Sequence, residues 1–425
     1  MNESRRMIDK SKAMVLIGLF LNAIVAYVAI QNRLATLSFP ADVCNKTVAD
    51  VAPASVSNGV PTLYLHFGPE KTGSTTLQCM FTKTRDLLES ETSYRYLGRV
   101  CGRLPLEERE NSGLFLKTIA STYEGTVELT EAALKQLRES KSPIFSQETL
   151  SNQVYRTMRP WGNRDYYVGV MIDEIKKAGF PVKPIVVYRR LYSWVPSYQS
   201  ERSKLYANAD CRESLIKWFD IRDPFWDCNA SRETNQHPVQ YLLDGLSENF
   251  GLDDVSIFNM HAMTEEDAGD IYHSFVRELL PDSDSFRKKY REEYEMESQN
   301  TAAAKTTDLW HLASRVAGMK YGDSADDDQR AELHKRIHKK RVVRFFDGED
   351  NIPTVCFSDD QLSELLEMSL RFEKELLPEW FAMDGVEDDH RKGFQEYVDR
   401  GKYCEWDVEK MMENERLREW ALALQ

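Results

Sequence analysis

Positive charge is scarce in this sequence: 55 Lys and Arg stand against 69 Asp and Glu, a formal net charge of -14 over 425 residues. Counterion release rewards clustered cations, so the acidic balance argues against a general nucleic-acid binder, and any anionic ligand must meet a local basic site. Cysteine is sparse too. The seven residues contain no C-x-x-C pair and no histidine partners at metal spacing, which argues against a zinc site. Internal repeats are absent, and so is any G-x-x-x-x-G-K-[ST] run, the loop that a Walker-type nucleotide site requires.

Long apolar runs are missing with one exception, Ala13–Ile30 (AMVLIGLFLNAIVAYVAI), which is uncharged and has Asn22 as its one strongly polar residue. It fits a short membrane span. Arg5, Arg6, Lys10 and Lys12 precede it and only Arg33 follows closely, so the positive-inside rule leaves residues 1–12 cytosolic and the rest lumenal. A cleaved signal peptide is the rival reading, although the run exceeds a usual h-region and no clear A-x-A site follows. Both readings send the main part of the chain into the secretory pathway, where disulfides persist. Cys211 and Cys228 bracket Trp218, Phe219, Phe225 and Trp226 and are expected to staple a surface excursion. The odd total leaves at least one thiol free, and that role is assigned to Cys79, buried on a helix. The sequons at Asn45 and Asn229 would face the lumen and could be glycosylated.

A hydrophobic content of 42% is enough for a sizeable core. Residues 31–60, rich in Ala, Ser, Val and Pro, read as a stem after the anchor at 13–30. From Pro61 short apolar runs alternate with helical patterns, and Thr62–Phe67, Pro143–Ser146, Val182–Tyr188 and Val255–Asn259 read as buried strands. This alternation predicts an α/β fold over 61–285: a P-loop-like parallel sheet flanked by helices, binding ligands at the carboxyl ends of its strands. Residues 286–425 read as a helical cap of the same domain, with amphipathic stretches at Asp359–Phe381 and Trp406–Leu424. Asp323–Asp328 reads as a solvated loop.

The most informative segment is Leu63-Tyr-Leu-His66-Phe-Gly-Pro-Glu-Lys71-Thr72-Gly73-Ser74-Thr75-Thr76-Leu-Gln, a strand running into a Gly/Ser/Thr loop that opens a helix. Backbone N–H groups and the helix dipole at such a junction attract an oxyanion. Gly73 admits close backbone approach, Ser74, Thr75 and Thr76 add hydroxyls, and Lys71 adds a mobile charge. Lys71 precedes Gly73, which is not the Walker order, so ATP is disfavoured as the donor.

Lys71-Thr72-Gly73-Ser74-Thr75 resembles the 5'-phosphosulfate loop of the PAPS-dependent sulfotransferases, in particular their membrane-anchored Golgi members that act on carbohydrates. Arg189 and Ser197, in Val186-Val-Tyr-Arg189-Arg-Leu-Tyr-Ser-Trp-Val-Pro-Ser197, match that family's second motif, an Arg at a strand end with a Ser eight residues on. The resemblance covers about Pro61 to Leu280. It implies PAPS as co-substrate without a metal, its 5' end held by residues 71–76 and its 3'-phosphate by Arg189 and Ser197. It also implies Glu148, after the strand that ends at Ser146, as the base that takes the acceptor proton; His66, at the end of the first strand beside the loop, is the rival base by its position. Lys71 would stabilise charge on the bridging oxygen. Arg156, Arg159, Trp161 and Arg164 could line a cleft for a glycan or other hydroxyl acceptor, and the basic run His334–Arg341 could grip a polyanion. Two other readings are a P-loop kinase or NTPase, and a non-catalytic lumenal binding protein with the same fold.

Overall fold

The computed structural model of the chain describes residues 60–69, 72–98, 135, 137–138, 141–146, 150–151, 154–155, 167–205, 215–216, 219, 237–267, 269–294, 306–322 and 325–424. Among them no helix is long and apolar enough to cross a membrane. The run Ala13–Ile30, both sequons and the Cys211, Cys228 pair lie outside the described residues.

Strand β1 (Leu63–Phe67) is buried along its whole length, as a central strand must be when helices cover both faces. Around it the described residues form a five-stranded parallel sheet in the order β2-β3-β1-β4-β5. The other strands are β2 (Tyr94–Tyr96), β3 (Ser142–Ser146), β4 (Val182–Tyr188) and β5 (Ser256–Asn259). Register follows the period of two. Leu63, Leu65 and Phe67 of β1 join Val186 and Tyr188 of β4 in one core, whereas Tyr64 joins Ile185 and Val187 in the other.

Against the first face pack α3 (Tyr167–Lys177), through Val168, Met171, Ile172 and Ile175, and α5 (Pro238–Phe250), through Val239, Leu242, Leu246 and Phe250. The second face takes α1 (Ser74–Lys83) and α2 (Arg85–Glu91), and later α6 (Ile271–Leu279) and α7 (Asp284–Glu293). Helix α4 (Leu191–Leu205) leaves the end of β4. The four strands read from the sequence are present within a residue of their expected ends, and the α/β architecture with a helical C-terminal region is as expected.

The C-terminal region consists of α8 (Thr306–Tyr321), α9 (Asp327–Arg336), α10 (Lys339–Arg344), α11 (Asp359–Leu376), α12 (Pro378–Phe381), α13 (Val386–Asp399), α14 (Val408–Met411) and α15 (Glu415–Leu422). Residues Val56–Gln425 form one unit. Leu365 and Phe372 of α11 and Phe394 of α13 share a core with Leu191, Trp194 and Val195 of α4. A second C-terminal core joins Leu312 and Val316 of α8 to Met411 and Leu417.

Two expectations need correction, and one cross-link was not foreseen. Cys79 is disulfide-bonded rather than a free thiol; its burial on α1 reflects a cross-link as well as packing. A second disulfide, Cys356–Cys404, joins β6 (Thr354–Cys356) to β7 (Cys404–Trp406), an antiparallel pair that three-residue strands with little alternation could not announce. The acidic stretch at 323–328 is not wholly loop, because the Asp326 carboxylate accepts from the Gln329 N–H and α9 begins at Asp327 in a capping box.

Candidate active site

The chain passes from β1 to β2 on one side of the sheet and from β4 to β5 on the other, so its connections diverge between the adjacent strands β1 and β4. In an open α/β sheet this topological switch point is where a ligand crevice forms. Both sequence motifs lie there, the Gly68–Thr76 loop after β1 and Arg189 directly after β4.

The loop after β1 folds back on itself. Thr72 donates from its N–H (3.3 Å) and its Oγ1 (2.7 Å) to the Pro69 carbonyl. Gly73, at the N-cap of α1, has φ of 80°, a left-handed conformation that glycine adopts without strain. A Cβ at Gly73 would also stand 2.8 Å from Ile271 Cδ1 on α6, and one at Gly68 would stand 2.8 Å from Thr72 Oγ1. The first turn of α1 holds no acidic residue, so nothing on the helix opposes an anion at its N-terminus. Ser74 is buried there, with Thr75 and Thr76 half-buried beside it. Lys71 lies outside the described residues, as do Glu148 and the expected acceptor residues Arg156, Arg159, Trp161 and Arg164. Chain order places Glu148 two residues beyond β3, the other neighbour of β1.

His66 ends up beneath this loop, 1% exposed. Its Nδ1 lies 2.7 Å from Ser146 Oγ on β3, and that oxygen also accepts from Gln78 Nε2 of α1 at 3.2 Å. Burial lowers its pKa to about 4, so the ring is neutral at neutral pH and only a weak base. Its Nε2 is buried without a hydrogen-bond partner among the described residues and would lie 3.5 Å from a Cβ at Gly68. Ser146 and Gln78 were not foreseen. Gln78 does lie four residues after Ser74, one turn on along α1, and helical spacing could have found it.

Arg189 is half-buried. Its Nε donates to Ser193 Oγ at 3.0 Å and its Nη1 to Ser197 Oγ at 3.4 Å, so the two serines lie one and two turns into α4 on one face. Ser193 was missed although its spacing from Arg189 is the helical four. The adjacent Arg190 goes the other way, into the protein. Its Nε donates to both carboxylate oxygens of Glu373 (3.1 and 3.2 Å) and its Nη1 to Asp389 at 2.7 Å. Glu373 also meets His390 Nδ1, and His390 Nε2 lies 2.9 Å from Ser369 Oγ, which accepts the Tyr192 N–H at 3.3 Å. Helices α11 and α13 therefore satisfy the first turn of α4. No sequence signal pairs Arg190 with groups more than 180 residues away.

The basic run His334–Arg341 is largely occupied. Arg336 and Lys335 pair with Glu332, Lys339 with Glu349, Ile337 is buried, His334 stacks on Trp310 at 3.9 Å, and Arg341 lies over Trp420 at 5.1 Å. Among the described residues no group of His, Cys, Asp and Glu gathers as a metal site. Comparisons with protein-family models, with curated proteins and with solved structures give no match.

Proposed function

We propose that the protein is a sulfotransferase that moves a sulfuryl group from PAPS to an acceptor hydroxyl, in the lumen of the secretory pathway. The observation that carries this reading is the adjacency of two anion-ready strand-to-helix junctions, Gly68–Thr76 after β1 and Arg189 with Ser193 and Ser197 after β4. A donor with separate 5'-phosphosulfate and 3'-phosphate groups needs two such junctions on neighbouring strands. The loop meets a steric requirement of such a donor as well, since Gly68 and Gly73 leave room that a Cβ would fill.

In this reading the N–H groups at the start of α1, with Thr72 to Thr76, hold the 5' end, while Arg189 and the two serines hold the 3'-phosphate. The acceptor hydroxyl attacks sulfur in line. Glu148 takes its proton as the new S–O bond forms, and the bond from sulfur to the bridging oxygen breaks, releasing adenosine 3',5'-bisphosphate. Lys71 neutralises the charge left on that oxygen. Glu148 is the better base because the low pKa and burial of His66 suit a hydrogen-bonding role. The acceptor we favour is a glycan, with Arg156, Arg159, Trp161 and Arg164 in its cleft, and the location a Golgi membrane with Ala13–Ile30 as anchor. The bonded Cys79 and the Cys356–Cys404 disulfide support an oxidising compartment.

The full-length protein, incubated with labelled PAPS and a panel of glycans and small hydroxyl compounds, is expected to label at least one glycan. Glu148→Gln and Lys71→Ala should each lower the rate by about 100-fold or more. Transfer that survives both substitutions sinks the mechanism, and phosphoryl transfer from ATP in place of sulfuryl transfer sinks the donor.

A further inference from the structure

The carbonyl of Arg189 and the N–H of Arg190 are the two polar ends of one peptide unit, and each is held by a histidine from a different part of the chain. His237 Nε2 lies 3.2 Å from the Arg189 carbonyl oxygen. The Nδ1 of the same ring accepts from the Val239 N–H at 3.1 Å, so the ring proton is on Nε2 and that nitrogen donates to Arg189. At the other end the Arg190 N–H donates to His261 Nε2 at 3.1 Å. One imidazole thus donates to this peptide and the other accepts from it.

Both rings are themselves held. His237 caps α5 and packs against Tyr188 and Phe372, with ring centroids 5.1 and 5.6 Å away. His261 follows β5, and its N–H donates to Asn259 Oδ1 at 3.0 Å. Burial lowers the pKa of His237 to about 3 and that of His261 well below the ordinary value, with Arg190 and Arg189 adding to the second shift. Both are therefore neutral at physiological pH, as each must be to keep its acceptor nitrogen.

We propose, on the basis of the donor reading above, that His237 and His261 are positioning residues that fix the plane of the Arg189–Arg190 peptide and thereby aim Arg189 at the donor's 3'-phosphate. With that plane held, Arg190 turns inward to Glu373 and Arg189 turns toward Ser193 and Ser197. A strand-to-helix turn needs only its backbone bonds. Here two imidazole rings, the buried His237 and the half-buried His261, are spent on the single peptide whose side chain the phosphate would meet. Rotation of that peptide would displace the guanidinium, and misplacement of about 1 Å is enough to cost on the order of 100-fold in a positioned interaction.

The test is the ratio of two dissociation constants measured on the full-length protein, for adenosine 5'-monophosphate and adenosine 3',5'-bisphosphate, which differ only in the 3'-phosphate. Wild type is expected to prefer the bisphosphate. His237→Phe and His261→Phe keep an aromatic ring but lose the bonds, and should lower that preference on the order of tenfold while monophosphate binding stays within about twofold. His237→Gln and His261→Gln, whose amides can donate to the carbonyl or accept from the N–H, should restore it. A preference unchanged in folded Phe variants, with only the melting temperature lowered, overturns the positioning role and leaves the donor reading standing. If wild type itself has no preference, the donor reading fails and this inference fails with it. Should a Phe variant not fold, the Gln variant at the same position decides: a preference within about threefold of wild type supports the role, and a collapsed one overturns it.

Discussion

Gly68 shows how little room one residue can have. Its missing Cβ is what lets Thr72 Oγ1 close the loop onto Pro69, because the added carbon would stand 2.8 Å from that oxygen. Gly68→Ala is expected to weaken binding of adenosine 3',5'-bisphosphate on the order of tenfold by calorimetry, with the melting temperature lowered by only a few degrees. An unchanged dissociation constant would show that the loop does not hold the ligand. Glu373 is a second single-residue test. It is fully buried and neutralises Arg190, itself 3% exposed along its side chain. Among the described residues Glu373→Ala leaves that guanidinium with only the exposed Asp389 as ionic partner, and it should destabilise the protein by roughly 3–5 kcal/mol in urea unfolding. Paired apolar replacement, Arg190→Met with Glu373→Leu, should cost much less, since removing both charges removes the desolvation penalty. At this scale legibility was uneven. Gly73, Arg189 and Ser197 could be read because their spacing along one loop or one helix is local. The partners of Arg190 could not, because only folding brings α11 and α13 to the start of α4.

Helix α4 carries Pro196, which has no N–H for the carbonyl four residues before it, that of Tyr192. Tyr403 supplies the missing donor, its hydroxyl lying 2.9 Å from that oxygen. A helix that begins beside Arg189 is thus completed by a side chain just before β7. Tyr403→Phe should cost about 1–3 kcal/mol by leaving the buried carbonyl unsatisfied. Pro196→Ala restores a backbone donor, so the loss should shrink when Tyr403→Phe is made in that background, a coupling that a double-mutant cycle measures directly. Additive losses would show that the hydroxyl matters for another reason. The central strands were legible because β1 and β4 are uninterrupted apolar runs bounded by turn residues. The three-residue β2, β6 and β7 were not, being too short for a period of two to repeat along them.

For the molecule as a whole the buried histidines set a pH dependence. Burial lowers His66 to about 4, His237 to about 3 and His261 and His390 in the same direction, from an ordinary value of 6.5. As pH falls below 6.5 the unfolded chain binds protons that the native state refuses, so stability is lost through the window down to these folded values. The slope is about 1.4 kcal/mol per pH unit for each such histidine. Glu278 opposes this, since burial raises its pKa to about 7 and its neutral form favours the native state as pH falls from 7 to 4.5. Several histidines outweigh one carboxyl, and the urea midpoint should drop between pH 7 and pH 5; an equal or higher midpoint at pH 5 would show that these rings are not buried neutral in solution. From the sequence alone came the parallel α/β layout, its four main strands, and the two loops at their ends, because hydrophobic period and loop chemistry are local properties of the chain. Only the tertiary structure decided that β1 and β4 are neighbours, that two histidines grip one peptide, and that the C-terminal helices complete the start of α4. Those contacts join residues up to about 200 positions apart, and no local pattern encodes which distant groups will meet once the core is packed.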